Sequence, residues 1–241
     1  MPDRPYVVLS CAMSADGYID DATDRRLLLS NDADFDRVDS ERAASDAILV
    51  GANTIRQDNP RLLVRSEARQ AERVRRGLPP SPAKVTITAS GDLDAGRSFF
   101  TAGGPEVSRL VYCATPAVAA ATGRLGHSPG VEVIGAGEPV DLAAVLADLA
   151  QRGVRRLFAE GGTMIHTQLL AQGFADELQL VVAPFFVGGR GAPRFVGDAA
   201  IPFDAAHRMT LAAVAQLGDV VLLRYVTRAE GVATPGHVSA A

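Results

Sequence analysis

Residues 141–172 read DLAAVLADLAQRGVRRLFAEGGTMIHTQLLAQ, and this stretch decides the fold class. Leu142, Val145, Leu146 and Leu149 fall at i, i+3, i+4 and i+7, the spacing of one apolar helix face. Asp141 stands where a cap belongs and Gly153 where a helix should stop, so the spacing predicts a helix over Asp141–Arg152. Arg156–Ala159 follows as a short, apolar run of strand length. Glu160-Gly161-Gly162-Thr163 then turns the chain into a second helix over Thr163–Gln172, with Ile165, Leu169 and Leu170 inward and Gly173 as its stop. A helix, a strand, a glycine turn and a helix in direct succession make the repeating unit of an α/β domain.

The same alternation extends in both directions. Tyr6–Met13, Ala47–Gly51, Val85–Ala89, Leu110–Ala114, Val131–Ile134 and Leu178–Val182 are apolar, β-branched runs of strand length, several of them apolar throughout. Strands buried on both faces read that way. A further helix is expected from Ser30, read as its N-cap, to about Ser45. Leu211–Gln216 and Val220–Val226 flank Leu217-Gly218-Asp219 and read as an antiparallel hairpin. The expected fold is α/β, with a mainly parallel central sheet, helices on both faces and an antiparallel C-terminal hairpin. Ser66–Pro82, with four arginines and three prolines, reads as a solvated excursion ending in a stiff linker. One domain over residues 4–228 and a flexible tail over residues 229–241 are expected.

Composition excludes several classes. The chain has 241 residues, 47% hydrophobic and 22% charged, and a formal net charge of −4. It is neither a disordered chain nor one whose charge favours nucleic acid. Of its 24 basic residues only Lys84 is a lysine; arginine's planar fork suits phosphate. Cys11 and Cys113 lie in apolar runs, with no paired spacing, and read as buried free thiols. No metal-ligand spacing occurs, so no metal is expected. The N-terminus carries no signal-peptide pattern and no run approaches the length that spans a bilayer, so a cytoplasmic protein with no membrane partner is expected.

Three segments could carry chemistry. The Gly161-Gly162 pair lies between a strand and a helix, where backbone amides and the helix dipole can hold a phosphate; it also reads as an ordinary turn. Gly51–Arg65 packs a glycine, a hydroxyl, Asp58, Asn59 and the arginines 56, 61 and 65 into one loop, which suits an anion or is simply a capped loop. In Ser14–Asp20, Asp16 is a candidate general acid, although Asp16-Gly17 is first of all a turn signal. Of the four histidines only His166 lies near these segments, and helix packing is its simpler role.

In this order and spacing the segments resemble the reductase domain of riboflavin biosynthesis. The matching pieces are Arg4-Pro5-Tyr6 leading to Ser14-Ala15-Asp16-Gly17, Ala47–Gly51 with Thr54 and Asp58-Asn59-Pro60-Arg61-Leu62, Val85–Ser90, Glu160-Gly161-Gly162, and Ala183-Pro184 before Gly188-Gly189. The resemblance implies a dihydrofolate-reductase-like fold, NADPH as cofactor, and reduction of a phosphoribosylamino-pyrimidine to its ribityl form. The substrate would be the 5-amino-6-(5-phosphoribosylamino)uracil type, or the diamino-pyrimidinone before deamination. By position it implies that Met13, Gly51, Thr54, Asp58, Ser90, Gly161, Gly162, Thr163, Met164 and Ile165 hold the cofactor. It implies Arg25, Arg42, Leu62, Arg65 and Glu160 at the substrate, with Glu160 or Asp58 as the catalytic group that handles the proton. A homodimer is implied by resemblance as well. The bifunctional bacterial enzymes carry a lysine where this chain has Ser10, which leaves the exact pyrimidine open. The zinc deaminase signature is absent, so a single-function reductase working with a separate deaminase is expected. Two other readings share the fold: an NADPH reductase acting on a pterin or folate, and a nucleotide-binding module without catalysis.

Overall fold

The structure is a computed structural model that describes residues 3–227 except 22, 24, 26 and 190. The expected tail over residues 229–241 lies outside the described residues. Nine strands form one sheet: β1 (Tyr6–Ser14), β2 (Ala47–Gly51), β3 (Ala83–Thr88), β4 (Arg109–Cys113), β5 (Val131–Gly135), β6 (Arg156–Gly161), β7 (Glu177–Ala183), β8 (Thr210–Leu217) and β9 (Val220–Val226). Their spatial order is β5-β4-β3-β2-β6-β1-β7-β9-β8. From β5 to β7 every pairing is parallel. The β8–β9 hairpin adds antiparallel pairings at one edge, as the sequence predicts. β2 and β4 are buried at every position, which is why β2, and β4 after its first residue Arg109, read as unbroken apolar runs.

The helices are α1 (Asp32–Ala44), α2 (Ala52–Asp58), α3 (Glu67–Arg75), α4 (Ser98–Thr101), α5 (Val118–Leu125), α6 (Leu142–Gln151) and α7 (Thr163–Ala171). They cover both faces of the sheet. Leu49, Val85, Leu110 and Tyr112 pack with Leu142, Val145, Leu146 and Leu149 of α6 on one face. Ile48, Val50 and Val111 pack with Ile55, Phe99, Phe100 and Leu125 on the other. The alternation of neighbours such as Ile48 and Leu49 between two cores is the period of a strand buried on both sides. Asp141 caps α6, its carboxylate accepting from the Ala143 amide at 2.8 Å. Cys11 and Cys113 are free and buried.

Three expectations need correction. The cap of α1 is Asn31 rather than Ser30: the Asn31 side chain accepts from the Asp34 amide, and its Nδ2 also donates to the Leu217 carbonyl at 2.7 Å. Tertiary anchoring to the hairpin selects between two adjacent residues that cap equally well by propensity. Gly51–Arg65 is not a single loop: its first part is α2, which continues directly from β2 and ends at Asn59 with φ 47°. Ser66–Pro82 is solvent-facing over most of its length, but it is not merely an excursion: Ser66 caps α3 and Arg73 is buried there. Arg73 donates to the carbonyls of Ala43 and Ser45 at 2.8 Å and of Pro79 at 2.9 Å. A charged side chain with that many carbonyl partners can be buried at acceptable cost.

Helix α1 meets the sheet through polar groups, having only Phe35, Val38 and three alanines as apolar residues. Its Glu41 accepts from Gln179 of β7 at 2.9 Å and from Arg156 of β6 at 2.8 Å. Glu177, fully buried, is clasped by Arg224 through bonds of 2.6 and 2.8 Å. Burial works to raise the Glu177 pKa, but its bonds from Arg224 and Gln179 leave it lowered. This polar layer runs beneath α1 to the open end of the sheet, where the cleft lies.

Candidate active site

A cleft of about 1020 Å³ opens at the carboxyl ends of the central strands, where open α/β sheets bind ligands. Its walls come from β1, α1, α2, the end of β3 and the β6–α7 turn. The β6–α7 turn is built by two backbone features. Leu49 and Val50 of β2 lie opposite Ala159 and Gly161, so Glu160 is the extra residue of a β-bulge. Bulges re-aim side chains, and this one sends Glu160 toward α1. Gly161 and Gly162 follow with φ of 147° and 84°, a region L side chains rarely adopt. Helix α7 then starts with no side-chain cap, and the first intrahelical bond in the turn runs from the His166 amide to the Gly162 carbonyl at 3.1 Å. The amides of Thr163, Met164 and Ile165 are the orphan donors of the helix start. A Cβ at Gly162 would sit 3.1 Å from the Thr54 hydroxyl oxygen. The turn is therefore a cradle of backbone amides with a hydroxyl at its wall, of the kind that accepts a phosphate or diphosphate.

On the wall facing α1, Glu160 and Arg42 form a bidentate ion pair. Arg42 Nε and Nη2 donate to the two Glu160 oxygens at 2.6 Å each, and Nη1 donates to the Leu63 carbonyl at 3.1 Å. Both side chains are nearly enclosed, with 12% and 14% exposure. Burial acts to lower the Arg42 pKa, yet the Glu160 carboxylate leaves it raised above its ordinary value. Arg65, exposed at the rim, lies over the Phe35 ring at 5.4 Å. Its backbone amide is held by Asp39, which sets its place on the cleft rim.

Most of the residues expected from the resemblance meet here. Gly51, Thr54, Asp58 and Ser90 line the cleft with the turn residues Gly161–Ile165. Arg42, Arg65 and Glu160 line it too. Three do not. Leu62, with φ 48°, buries its side chain beside Ile55 and Phe100, so only its backbone is left for any ligand contact. Met13 is half-buried on β1 and Arg25 is exposed; neither lines the cleft. Asp16 is a clasp: its carboxylate accepts from the amides of Val187 at 3.1 Å and Gly188 at 2.8 Å. The Ser14 hydroxyl, with those amides, holds the Asp16 pKa below the ordinary carboxylate value, the opposite of what a general acid needs. His166 is buried beside Phe195, ring centroids 5.2 Å apart, and burial pushes its pKa down to about 4. It packs against Phe195 and also borders the cleft.

Sequence reasoning missed a polar group on the cleft floor. Arg37 of α1 donates through Nε to Asp34 at 2.7 Å, through Nη2 to Ser10 at 3.3 Å, and through Nη1 to Gln179. Asp34, Ser10 and Gln179 are buried, and Asp34, Arg37 and Ser10 line the cleft. Nothing in the charge-rich run Asp32–Asp39 distinguishes Asp34 and Arg37 from their solvated neighbours; only the docking of α1 on β1 and β7 does. Among the described residues no cluster could hold a metal ion, and no helix is long and apolar enough to cross a membrane.

The model of the RibD C-terminal domain family matches residues 5–223. A curated protein of Archaeoglobus fulgidus, named 2,5-diamino-6-ribosylamino-4(3H)-pyrimidinone 5′-phosphate reductase, is 35% identical over 190 residues, covering 79% of this chain and 85% of that one. A pyrimidine reductase-like protein of Corynebacterium diphtheriae superposes with a TM-score of 0.76 at 24% identity, covering 92% and 91% of the two chains. Dihydrofolate reductase of Enterococcus faecalis superposes with a TM-score of 0.51 at 12% identity, covering 92% and 95%. The two structural likenesses are likenesses of fold.

Proposed function

The chain belongs to the RibD C-terminal domain family, and on that premise we propose that it is an NADPH-dependent reductase of riboflavin biosynthesis. Its substrate in this reading is 2,5-diamino-6-ribosylamino-4(3H)-pyrimidinone 5′-phosphate, whose ribosylamino group is reduced to the ribityl form. The archaeal relative's name favours this diamino substrate over the deaminated uracil. One observation carries the reading: a single cleft holds an anion cradle at the start of α7 and, on its other side, the Arg42–Glu160 pair with Arg65 at the rim. That arrangement suits two phosphorylated ligands meeting in one space.

NADPH, when bound, supplies the hydride. Gly161, Gly162 and the amides of Thr163–Ile165 would hold its diphosphate, with Thr54 alongside, and Ser90 on the same cleft wall would face its adenosine end. Arg65 holds the substrate phosphate, with charge to offer and no carboxylate paired to it among the described residues. Glu160 has both oxygens committed to Arg42, so it accepts hydrogen bonds from substrate rather than handing over a proton. As the open-chain imine carbon of the sugar takes up hydride, the nitrogen takes up a proton, which reaches it from water at Asp58 on the exposed end of α2. The enzyme's main work is alignment of donor and acceptor within the cleft.

We read the protein as cytoplasmic, in keeping with its free thiols, and as a homodimer. The edge strand β8 and its partner β9 expose Leu211, Val214 and Val221, an apolar surface that a second copy would cover; sedimentation of the purified chain tests this. The function is tested by NADPH oxidation with the diamino-pyrimidinone phosphate and, in parallel, with dihydrofolate. Turnover of the pyrimidine alone is expected. Arg65→Ala should raise the pyrimidine KM by an amount equivalent to about 1–3 kcal/mol, the worth of a charged hydrogen bond. Unchanged kinetics would remove Arg65 from the site, and turnover of dihydrofolate alone would overturn the substrate reading.

A further inference from the structure

The cleft floor carries charge that neither the cradle nor the Arg42–Glu160 pair uses. Asp34 is 1% exposed yet lines the cleft. Its Oδ1 accepts from Arg37 Nε at 2.7 Å, which occupies one of about four lone-pair positions on the carboxylate. Arg37 is fixed from three sides by Asp34, Ser10 and Gln179, and a guanidinium has five N–H groups, so donors remain. Asp34 is itself fixed: it sits in the first turn of α1, with its amide capped by Asn31. The result is a rigid strip on the wall of a ligand cleft that presents acceptors from Asp34 beside donors from Arg37.

Resting on the reading above, we propose that Asp34 and Arg37 read the edge of the substrate's pyrimidine ring and set the preference for the diamino form over its deaminated counterpart. The diamino ring presents, in order, an amino group at C2, an N–H at N3 and a carbonyl at C4. A carboxylate can accept from the first two while a guanidinium donates to the third. In the deaminated ring the C2 amino group is replaced by a carbonyl oxygen, which would face the Asp34 carboxylate with like partial charge. The C4 carbonyl is common to both rings, so Arg37 contributes to affinity and Asp34 to the choice between them. A buried acceptor left facing another acceptor is the costliest kind of mismatch, which makes such a site discriminating. Asp34 and Arg37 are thus specificity-determining residues, supplied from a helix rather than from the strand below them.

The test measures equilibrium binding of the two pyrimidine phosphates to the full chain by calorimetry, and their kcat/KM ratio, for wild type, Asp34→Asn and Arg37→Met. Wild type is expected to favour the diamino form by at least about tenfold. Asp34→Asn keeps the side-chain shape but places an NH2 group where an oxygen stood. It should lower that preference by about tenfold or more, or invert it. Arg37→Met should weaken both ligands by about tenfold and leave the ratio unchanged. Equal binding of the two rings by wild type overturns the inference whether or not the variants fold, as does an Asp34→Asn protein with an unchanged ratio. Binding of neither ring overturns the substrate reading itself, and this inference with it.

Discussion

Replacing Glu160 with alanine should lower kcat/KM by at least about 100-fold, because it strips the cleft of an acceptor and leaves Arg42 as an uncompensated, nearly enclosed charge. The two guanidinium bonds at 2.6 Å are the direct neutralisation of Arg42, with the Asp39 carboxylate a weaker, more distant contribution. Breaking one partner of such a pair costs about 3–5 kcal/mol. Arg42→Ala should be about as damaging, for the reciprocal reason. The double variant distinguishes coupling from two separate losses: it should be less impaired than the sum of the single variants by about 2 kcal/mol or more. Strict additivity in kcat/KM would show that the two residues act apart and would remove the ion pair from the account. Melting curves recorded on the same proteins separate loss of fold from loss of function.

Valine at Gly162 should weaken NADPH binding by about 10–100-fold while leaving the fold of the sheet intact. Gly162 has φ 84°, which a β-branched residue adopts only at a cost of roughly 1–2 kcal/mol or more. Its Cβ would stand 3.1 Å from the Thr54 hydroxyl oxygen, on the face of the turn proposed to take the diphosphate. Titration of the variant with NADPH, followed by the quenching or enhancement of nicotinamide fluorescence, checks this. Affinity equal to wild type would mean that the cradle at α7 does not hold the cofactor. Gly173→Val, at a second glycine of positive φ, after α7, is the control: nothing lies within 4 Å of a Cβ there, and NADPH affinity should hold.

How far the molecule can be read from its sequence varies by element. Strands β2, β4 and β6 are legible because a strand buried on both faces must be apolar at nearly every position, and Ala47–Gly51 shows this without interruption. Helix α6 is legible because its apolar face, its Asp141 cap and its Gly153 stop agree with one another. Helix α3 is not, because its burial rests on Arg73, whose three carbonyl partners come from two separate stretches of chain, the end of α1 and Pro79. Helix α2 is hidden by its polar composition and by Asp58-Asn59-Pro60, whose turn chemistry ends the helix and so masks the helix before it.

The site divides in the same way. The glycine cradle is local, lying between a strand and a helix that are each readable, so its position follows from neighbouring residues. Glu160 is placed by a bulge, which depends on the register of β2 against β6 and leaves no mark in composition. The resemblance supplied Glu160, Arg42 and Arg65, but it also carried Leu62, whose side chain the fold directs into the core, and Met13 and Arg25, which stay off the cleft wall. Asp34 and Arg37 are the reverse case. They look like two charges among many on a polar helix, and they become a cleft floor only when α1 docks on Ser10 and Gln179.

The most direct test of the central claim follows the hydride itself. The purified protein is incubated with NADPH deuterated at the transferable position and with the diamino-pyrimidinone phosphate, and the product is analysed by mass spectrometry and fragmentation. A ring-opened ribityl product carrying one deuterium on the sugar carbon next to nitrogen, with the pyrimidine ring unlabelled, is the expected result. An unlabelled product, or deuterium on the heterocycle, would contradict it.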